Sequence, residues 1–191
     1  MLKIFLVRPG STEFDEQGRI KGCLDIPLSA AGEEQVQRAA TELAEFDITR
    51  IYTSPCKSAI QTAEKLNRGG KAKIKIIEGF KNLNHGLWHG KLIEDLKSTQ
   101  PRTYRNFADN PESTCPPEGE SLRSAKDRVV KALNKIVRKN RDGKVILVVP
   151  EPLATISQSI LEDVEIGDLW SSECETCGWE VIDVTQAKIG T

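Results

Sequence analysis

The 191 residues include only two histidines, one methionine and five cysteines, and aromatic side chains make up 5% of the chain. Each scarcity removes a class of explanation. The cysteines (Cys23, Cys56, Cys115, Cys174 and Cys177) are odd in number and mostly scattered, which suits reduced thiols in a cytoplasm rather than a disulfide framework. Acidic and basic residues nearly cancel, 28 against 27, so composition offers no electrostatic footprint for nucleic acid or an anionic membrane. No stretch approaches the roughly 20 apolar residues that a membrane span needs. The run Leu2 to Val7 is too short for a signal peptide and ends at Arg8-Pro9-Gly10 without a small-residue cleavage site. Repeats, low-complexity tracts and linkers are also lacking, so residues 1–191 read as one domain. A chain of this length buries roughly 70% of the surface its unfolded form exposes.

What is present alternates in period. Leu2 to Val7 is an apolar run apart from Lys3, the pattern of a strand buried on both faces. Ser29 offers an N-cap, and Val36, Ala39, Ala40, Leu43 and Ala44 then recur at helical spacing. Arg50 to Thr53 reads as a short strand, with Ser54-Pro55 capping a helix that runs to about Leu66. Lys73 to Ile77 alternates as a strand, Phe80 to Gly90 has no helical period and reads as a loop, and residues 90–117 read as helix broken by Pro101 and Pro111. From Ser121 a long amphipathic helix carries Leu122, Ala125, Val129, Leu133, Ile136 and Val137 on one face and ends in basic residues before Gly143. Val145 to Val149 is a second fully apolar strand, Leu153 to Leu161 a helix and Trp179 to Val184 a last strand. Such alternation predicts an α/β fold, a three-layer α/β/α sandwich on a mostly parallel central sheet. Sites in sheets of this kind lie beyond the carboxyl ends of the strands, which directs attention to residues 8–12, 54–58, 80–90 and 150–155.

Those segments carry a resemblance. Leu6-Val7-Arg8-Pro9-Gly10-Ser11-Thr12-Glu13, Gly18-Arg19-Ile20-Lys21-Gly22 and Asp25-Ile26-Pro27-Leu28-Ser29-Ala30-Ala31-Gly32 resemble the opening of the histidine phosphatase (phosphoglycerate mutase-like) superfamily. Ser54-Pro55 with Ala59-Ile60-Gln61-Thr62-Ala63, Gly86-Leu87-Trp88-His89-Gly90, and Gly119-Glu120-Ser121 extend the likeness over nearly the whole chain. The resemblance implies phosphoryl transfer through a histidine, with two arginines and a second histidine on the phosphoryl oxygens and a carboxylic acid protonating the leaving oxygen. At the corresponding positions this chain has Pro9 for the nucleophile, Ser58 for the second arginine, Asn82 for the acid and Pro150 for the second histidine, followed by Glu151 in place of glycine. Only Arg8 is kept. Glu151 adds a negative charge near the phosphate position, where a pair of like unit charges at ~4 Å and an effective dielectric of 20 costs ~4 kcal/mol.

These substitutions lead to the expectation of a catalytically inactive, pseudoenzyme member of the superfamily that serves as a binding, scaffold or regulatory protein, with no catalytic residue and no cofactor. A phosphatase or mutase-like enzyme of altered chemistry, using Arg8, Asn82, His85, His89 or Glu151, is the alternative, and a small-anion binder is a third reading. Arg8, Ser11, Thr12 and Arg19 are candidate anion ligands, since loop amides and hydroxyls beside arginine suit an oxyanion; against this, Arg8 pairs with Glu151. His85 and His89 stand four apart as a candidate metal pair or substitute nucleophile, with loop packing as the alternative. Cys174 and Cys177 supply two thiols at metal-like spacing, but structural thiols are expected and no metal site is. An unidentified protein partner or a small anion is expected, self-association is left open, and neither nucleic acid nor membrane is expected.

Overall fold

The computed structural model describes residues 1–166, 169–170 and 176–184. Five strands, β1 (Leu2–Val7), β2 (Arg50–Thr53), β3 (Lys73–Ile76), β4 (Gly143–Val148) and β5 (Trp179–Val184), form one sheet in the order β3-β2-β4-β1-β5. All neighbours run parallel except β5, which is antiparallel to β1 and places Glu180 opposite Leu6. This is the mostly parallel α/β architecture expected of the chain. The predominantly apolar runs belong to β1 and β4, which have strands on both sides and layers on both faces.

Strand alternation sorts the core into two halves. Leu2, Ile4 and Leu6 of β1, with Val145 and Leu147 of β4, face a large cluster that includes Leu133 and Ile136 of the long helix α6 (Leu122–Lys139) and Leu153 and Ile156 of α7 (Leu153–Glu162). Phe5 and Val7, with Ile146 and Val148, face a smaller cluster containing Leu43 and Ala59. Those two residues come from α2 (Ala30–Leu43) and α3 (Lys57–Leu66), so helices cover both faces of the sheet. The Ser29 hydroxyl accepts from the Gly32 amide and the Ser121 hydroxyl from the Ser124 amide, which caps α2 and α6 as their sequences predict.

Three local expectations are corrected. A one-turn helix, α1 (Glu13–Glu16), was not foreseen; Thr12 and Asp15 close it as a capping box. The third helix starts at Lys57 rather than at Pro55, because the Ser54 amide donates to the Val148 carbonyl and so prolongs the β2–β4 ladder, while its hydroxyl accepts from the Cys56 amide. Residues 80–90 are held by two single 3-10 turns, Glu78–Phe80 and Gly86–Trp88, rather than forming an open loop. Beyond them, Pro101 begins a separate helix, α5 (Pro101–Asp109), directly after α4 (Ile93–Thr99).

Candidate active site

The carboxyl ends of β1 and β4 bring Arg8 and Glu151 together. The Arg8 side chain is buried and donates from Nε to Glu151 Oε1 at 2.6 Å and from Nη1 to Glu180 Oε1 at 3.1 Å. Glu151 is only 1% exposed, and its Oε2 accepts from the Thr155 amide at 3.1 Å, in the first turn of α7. A helix N-terminus favours a carboxylate, so the residue is held from both sides. Glu180 in turn accepts from Gln158 Nε2 at 2.6 Å. Burial alone would lower the Arg8 pKa, but the charges of Glu151 and Glu180 outweigh it and raise the value. Burial pushes the Glu151 carboxyl above the usual carboxylate range, against the opposing pull of Arg8 and the Thr155 amide.

The two prolines lie buried at the strand ends. The Pro9 carbonyl accepts from the Cys177 amide at 2.9 Å and the Pro150 carbonyl from the Ala154 amide at 3.1 Å. Asn82 is buried beside Glu151, donating from Nδ2 to the Glu151 carbonyl at 3.0 Å and accepting on Oδ1 from the Leu83 amide. The Ser58 hydroxyl lies 3.7 Å from Cys56 Sγ.

The candidate anion ligands do not converge as a set. The Ser11 amide and hydroxyl both donate to Gln35 Oε1, and its hydroxyl also meets Thr176 Oγ1 at 2.9 Å. The Thr12 amide and hydroxyl both donate to Asp15 Oδ2, whose other oxygen contacts Lys21. The Gly10 amide donates to Thr62 Oγ1 at 3.3 Å. Arg19 reaches Gln17 Oε1 and the Gly90 carbonyl, each at 2.7 Å, and ties its loop to the segment before α4. The 10–12 backbone is pressed tightly onto α2, since a Cβ on Gly10 would meet the Gly32 carbonyl oxygen at 2.4 Å.

Neither histidine faces the Arg8 cluster. His85 is fully buried among Trp88, Phe107 and Trp170, with ring centroids at 6.3, 6.0 and 6.5 Å. His89 Nε2 accepts from the amides of Cys23 at 3.2 Å and His85 at 3.1 Å, so its lone pair is already engaged and the ring acts as a clamp between loops. Gly22, at φ +46, leaves the space this ring occupies. Among the described residues no three His, Cys, Asp or Glu side chains gather as a metal site. Cys174 lies outside the described residues; burial pushes the Cys177 thiol up to about 11, with Arg38 opposing. A separate cavity of about 580 Å³ between the C-terminal ends of α2 and α3, lined by residues such as Phe46, Leu66 and Ile146, shares no residue with the Arg8 cluster.

The sequence reading missed Glu180, Gln158, Gln35, Thr176 and Thr155. Glu180 carried one signal, a carboxylate between the apolar Trp179 and Val181, but its pairing opposite Leu6 is a matter of register. No motif states it.

Comparison with known proteins places this geometry. The family model of the histidine phosphatase superfamily (branch 1) matches residues 4–190. The chain belongs to that superfamily. It is 31% identical over 194 aligned residues to phosphoserine phosphatase 1 of Hydrogenobacter thermophilus, covering 98% of this chain and 89% of that one. Among solved structures, a phosphoserine phosphatase variant of Entamoeba histolytica in complex with phosphoserine superposes with a TM-score of 0.79 at 29% identity, over 95% of this chain and 90% of that one. The YhfR protein of Bacillus stearothermophilus matches with a TM-score of 0.86 at 24% identity, over 97% and 92%, and shows the shared superfamily fold. The expectation of a pseudoenzyme acting as a scaffold or regulator is therefore corrected: relatives of this chain are named as phosphatases and probable phosphoglycerate mutases, which are enzymes. Among the described residues no helix is long and apolar enough to cross a membrane.

Proposed function

We propose that this protein is a phosphatase or mutase-like enzyme of altered chemistry, acting in the cytoplasm on a small phosphorylated metabolite. The observation that carries the reading is Arg8, a buried guanidinium at the carboxyl end of β1, oriented by Glu151 at 2.6 Å. It sits in a chain that aligns over 98% of its length with a phosphoserine phosphatase. A guanidinium so placed can hold two phosphoryl oxygens in a site shielded from water, where such a contact is strongest.

Proline at positions 9 and 150 offers no imidazole, so the route we propose uses water as nucleophile. Water attacks phosphorus, the ester P–O bond breaks, and the leaving alkoxide takes a proton from Glu151. The attacking water releases its own proton to the departing phosphate, and Glu151 regains a proton from solvent. Glu151 suits this role because burial already raises its pKa, and a phosphate dianion on the Nη edge of Arg8 adds negative charge nearby that favours protonation further. Asn82, donating to the Glu151 carbonyl, holds the acid in place. The Entamoeba structure supports binding of this kind, since it is a histidine-to-alanine variant and still holds phosphoserine.

The test is release of inorganic phosphate from p-nitrophenyl phosphate and phosphoserine by purified protein. Turnover above the protein-free blank is expected, falling about 100-fold or more in Arg8→Gln, the usual loss when one oxyanion donor is removed. Absence of release, or Arg8→Gln at wild-type rate, refutes the proposal.

A further inference from the structure

The charges at the pocket do not balance in favour of a simple phosphate. Among the described residues, one guanidinium meets two carboxylates, Glu151 and Glu180. The two carboxylates are held differently. Glu151 is buried and fixed by the Thr155 amide, whereas the Glu180 side chain is 30% exposed and lies on an edge strand, with Gln158 as its other partner among the described residues. A dianionic phosphate arriving at Arg8 therefore displaces Glu180 in preference to Glu151. The displaced carboxylate is left beside the bound anion, in a half-buried place where like charges repel. A substrate that carries its own cation a few bonds from the phosphate removes that repulsion.

Resting on the phosphatase reading above, we infer that Glu180 is a specificity-determining residue that selects phosphate esters bearing an ammonium group, as a zwitterionic phosphoamino acid does. The phosphate takes the Nη edge of Arg8, Glu180 turns from the guanidinium to the ammonium, and Gln158 Nε2, 2.6 Å from Glu180 Oε2, keeps the carboxylate at the pocket wall. The exchange conserves ion pairs, because each partner of the resting pair ends on an opposite charge. A phosphorylated hydroxy acid of the same size leaves Glu180 with no cation.

The experiment compares phosphoserine with 3-phosphoglycerate, which differ only in an ammonium or a hydroxyl at one carbon. Binding of each is measured by calorimetry on the wild-type protein, Glu180→Gln and Asp183→Asn, with phosphate release followed in parallel. The expected result is phosphoserine binding at least about tenfold tighter in the wild type, a ratio near one in Glu180→Gln, and an unchanged preference in Asp183→Asn, whose exposed carboxylate pairs with Lys3. Glu180→Gln is isosteric and partly exposed, and a wild-type melting temperature certifies its fold. Equal binding of the two compounds by the wild type, or a preference that survives Glu180→Gln, overturns the inference while measurable phosphate release leaves the enzymatic reading standing. Silence in both binding and release overturns both.

Discussion

Replacing Arg8 by methionine tests how tightly stability and site chemistry are coupled. Methionine fills much of the volume but leaves the Glu151 carboxylate, 1% exposed, facing an apolar neighbour. Breaking a buried ion pair by removing one partner costs about 3–5 kcal/mol, because the remaining charge is uncompensated. At roughly 2–4 °C per kcal/mol for a domain of this size, the melting temperature should fall by about 6–20 °C near neutral pH. The cost has a ceiling, since Glu151 escapes it by taking up a proton. Burial already raises its folded-state pKa above the unfolded value, and loss of Arg8 raises it further. Between those two values the folded variant binds more protons than the unfolded chain, so its stability declines as pH rises through the window and levels off above it. Urea denaturation of wild type and Arg8→Met at pH 5 and pH 8 reads this directly. The difference between the proteins should be larger at pH 8. A difference below about 1 kcal/mol, or one that does not change with pH, refutes the claim that Glu151 depends on Arg8.

Other perturbations have separable outcomes. His89→Ala strands the Cys23 and His85 amides that share Nε2, and should destabilise the protein by about 2–4 kcal/mol, with faster amide hydrogen exchange at Cys23 than in the wild type. Burial opposes ionisation of Glu120, but hydrogen bonds from Arg128 and the charge of Arg128 outweigh it and lower the pKa. The stability this pair supplies is present above the unfolded-state carboxylate value and is lost as pH falls through the lower folded value, so Glu120→Gln should flatten the acid limb of an unfolding curve taken from pH 6 to pH 3. With the Cys177 thiol pushed up to about 11, iodoacetamide at pH 8 should label exposed Cys115 well before Cys177, as peptide mapping would show.

The central strands were readable because burial on both faces leaves a nearly continuous apolar run, and Leu2 to Val7 (Lys3 apart) and Val145 to Val149 need no partner information to be recognised. The caps Ser29 and Ser121 were readable for a similar reason: their chemistry acts within three residues. Legibility failed where the outcome depends on direction or register. The segment Gly18-Arg19-Ile20-Lys21-Gly22 brings Arg19 near the site in sequence, but its guanidinium turns to Gln17 and the Gly90 carbonyl. Thr12 and Asp15 stood at capping-box spacing, yet their pairing also consumes the amide and hydroxyl that an anion would need. Glu180 was invisible as a site residue because only the antiparallel pairing of β5 with β1 sets it opposite Leu6, two residues before Arg8.

That register matters to the chemistry as much as to the fold. A buried guanidinium must be paired, and a pocket that holds one arginine and neither histidine of the superfamily pattern needs an anion at rest. Glu151 supplies it from the end of β4 and Glu180 from β5, so at rest the guanidinium is paired by the protein's own carboxylates. Any substrate must therefore compete with an internal ligand. Competition of this kind weakens binding of a plain phosphate but sharpens discrimination, because the displaced carboxylate rewards a substrate that gives it a cation and penalises one that does not. The substitutions that remove imidazole chemistry from positions 9 and 150 thus leave a site whose selectivity rests on which carboxylate releases Arg8, and the less buried one, Glu180, is the easier to displace.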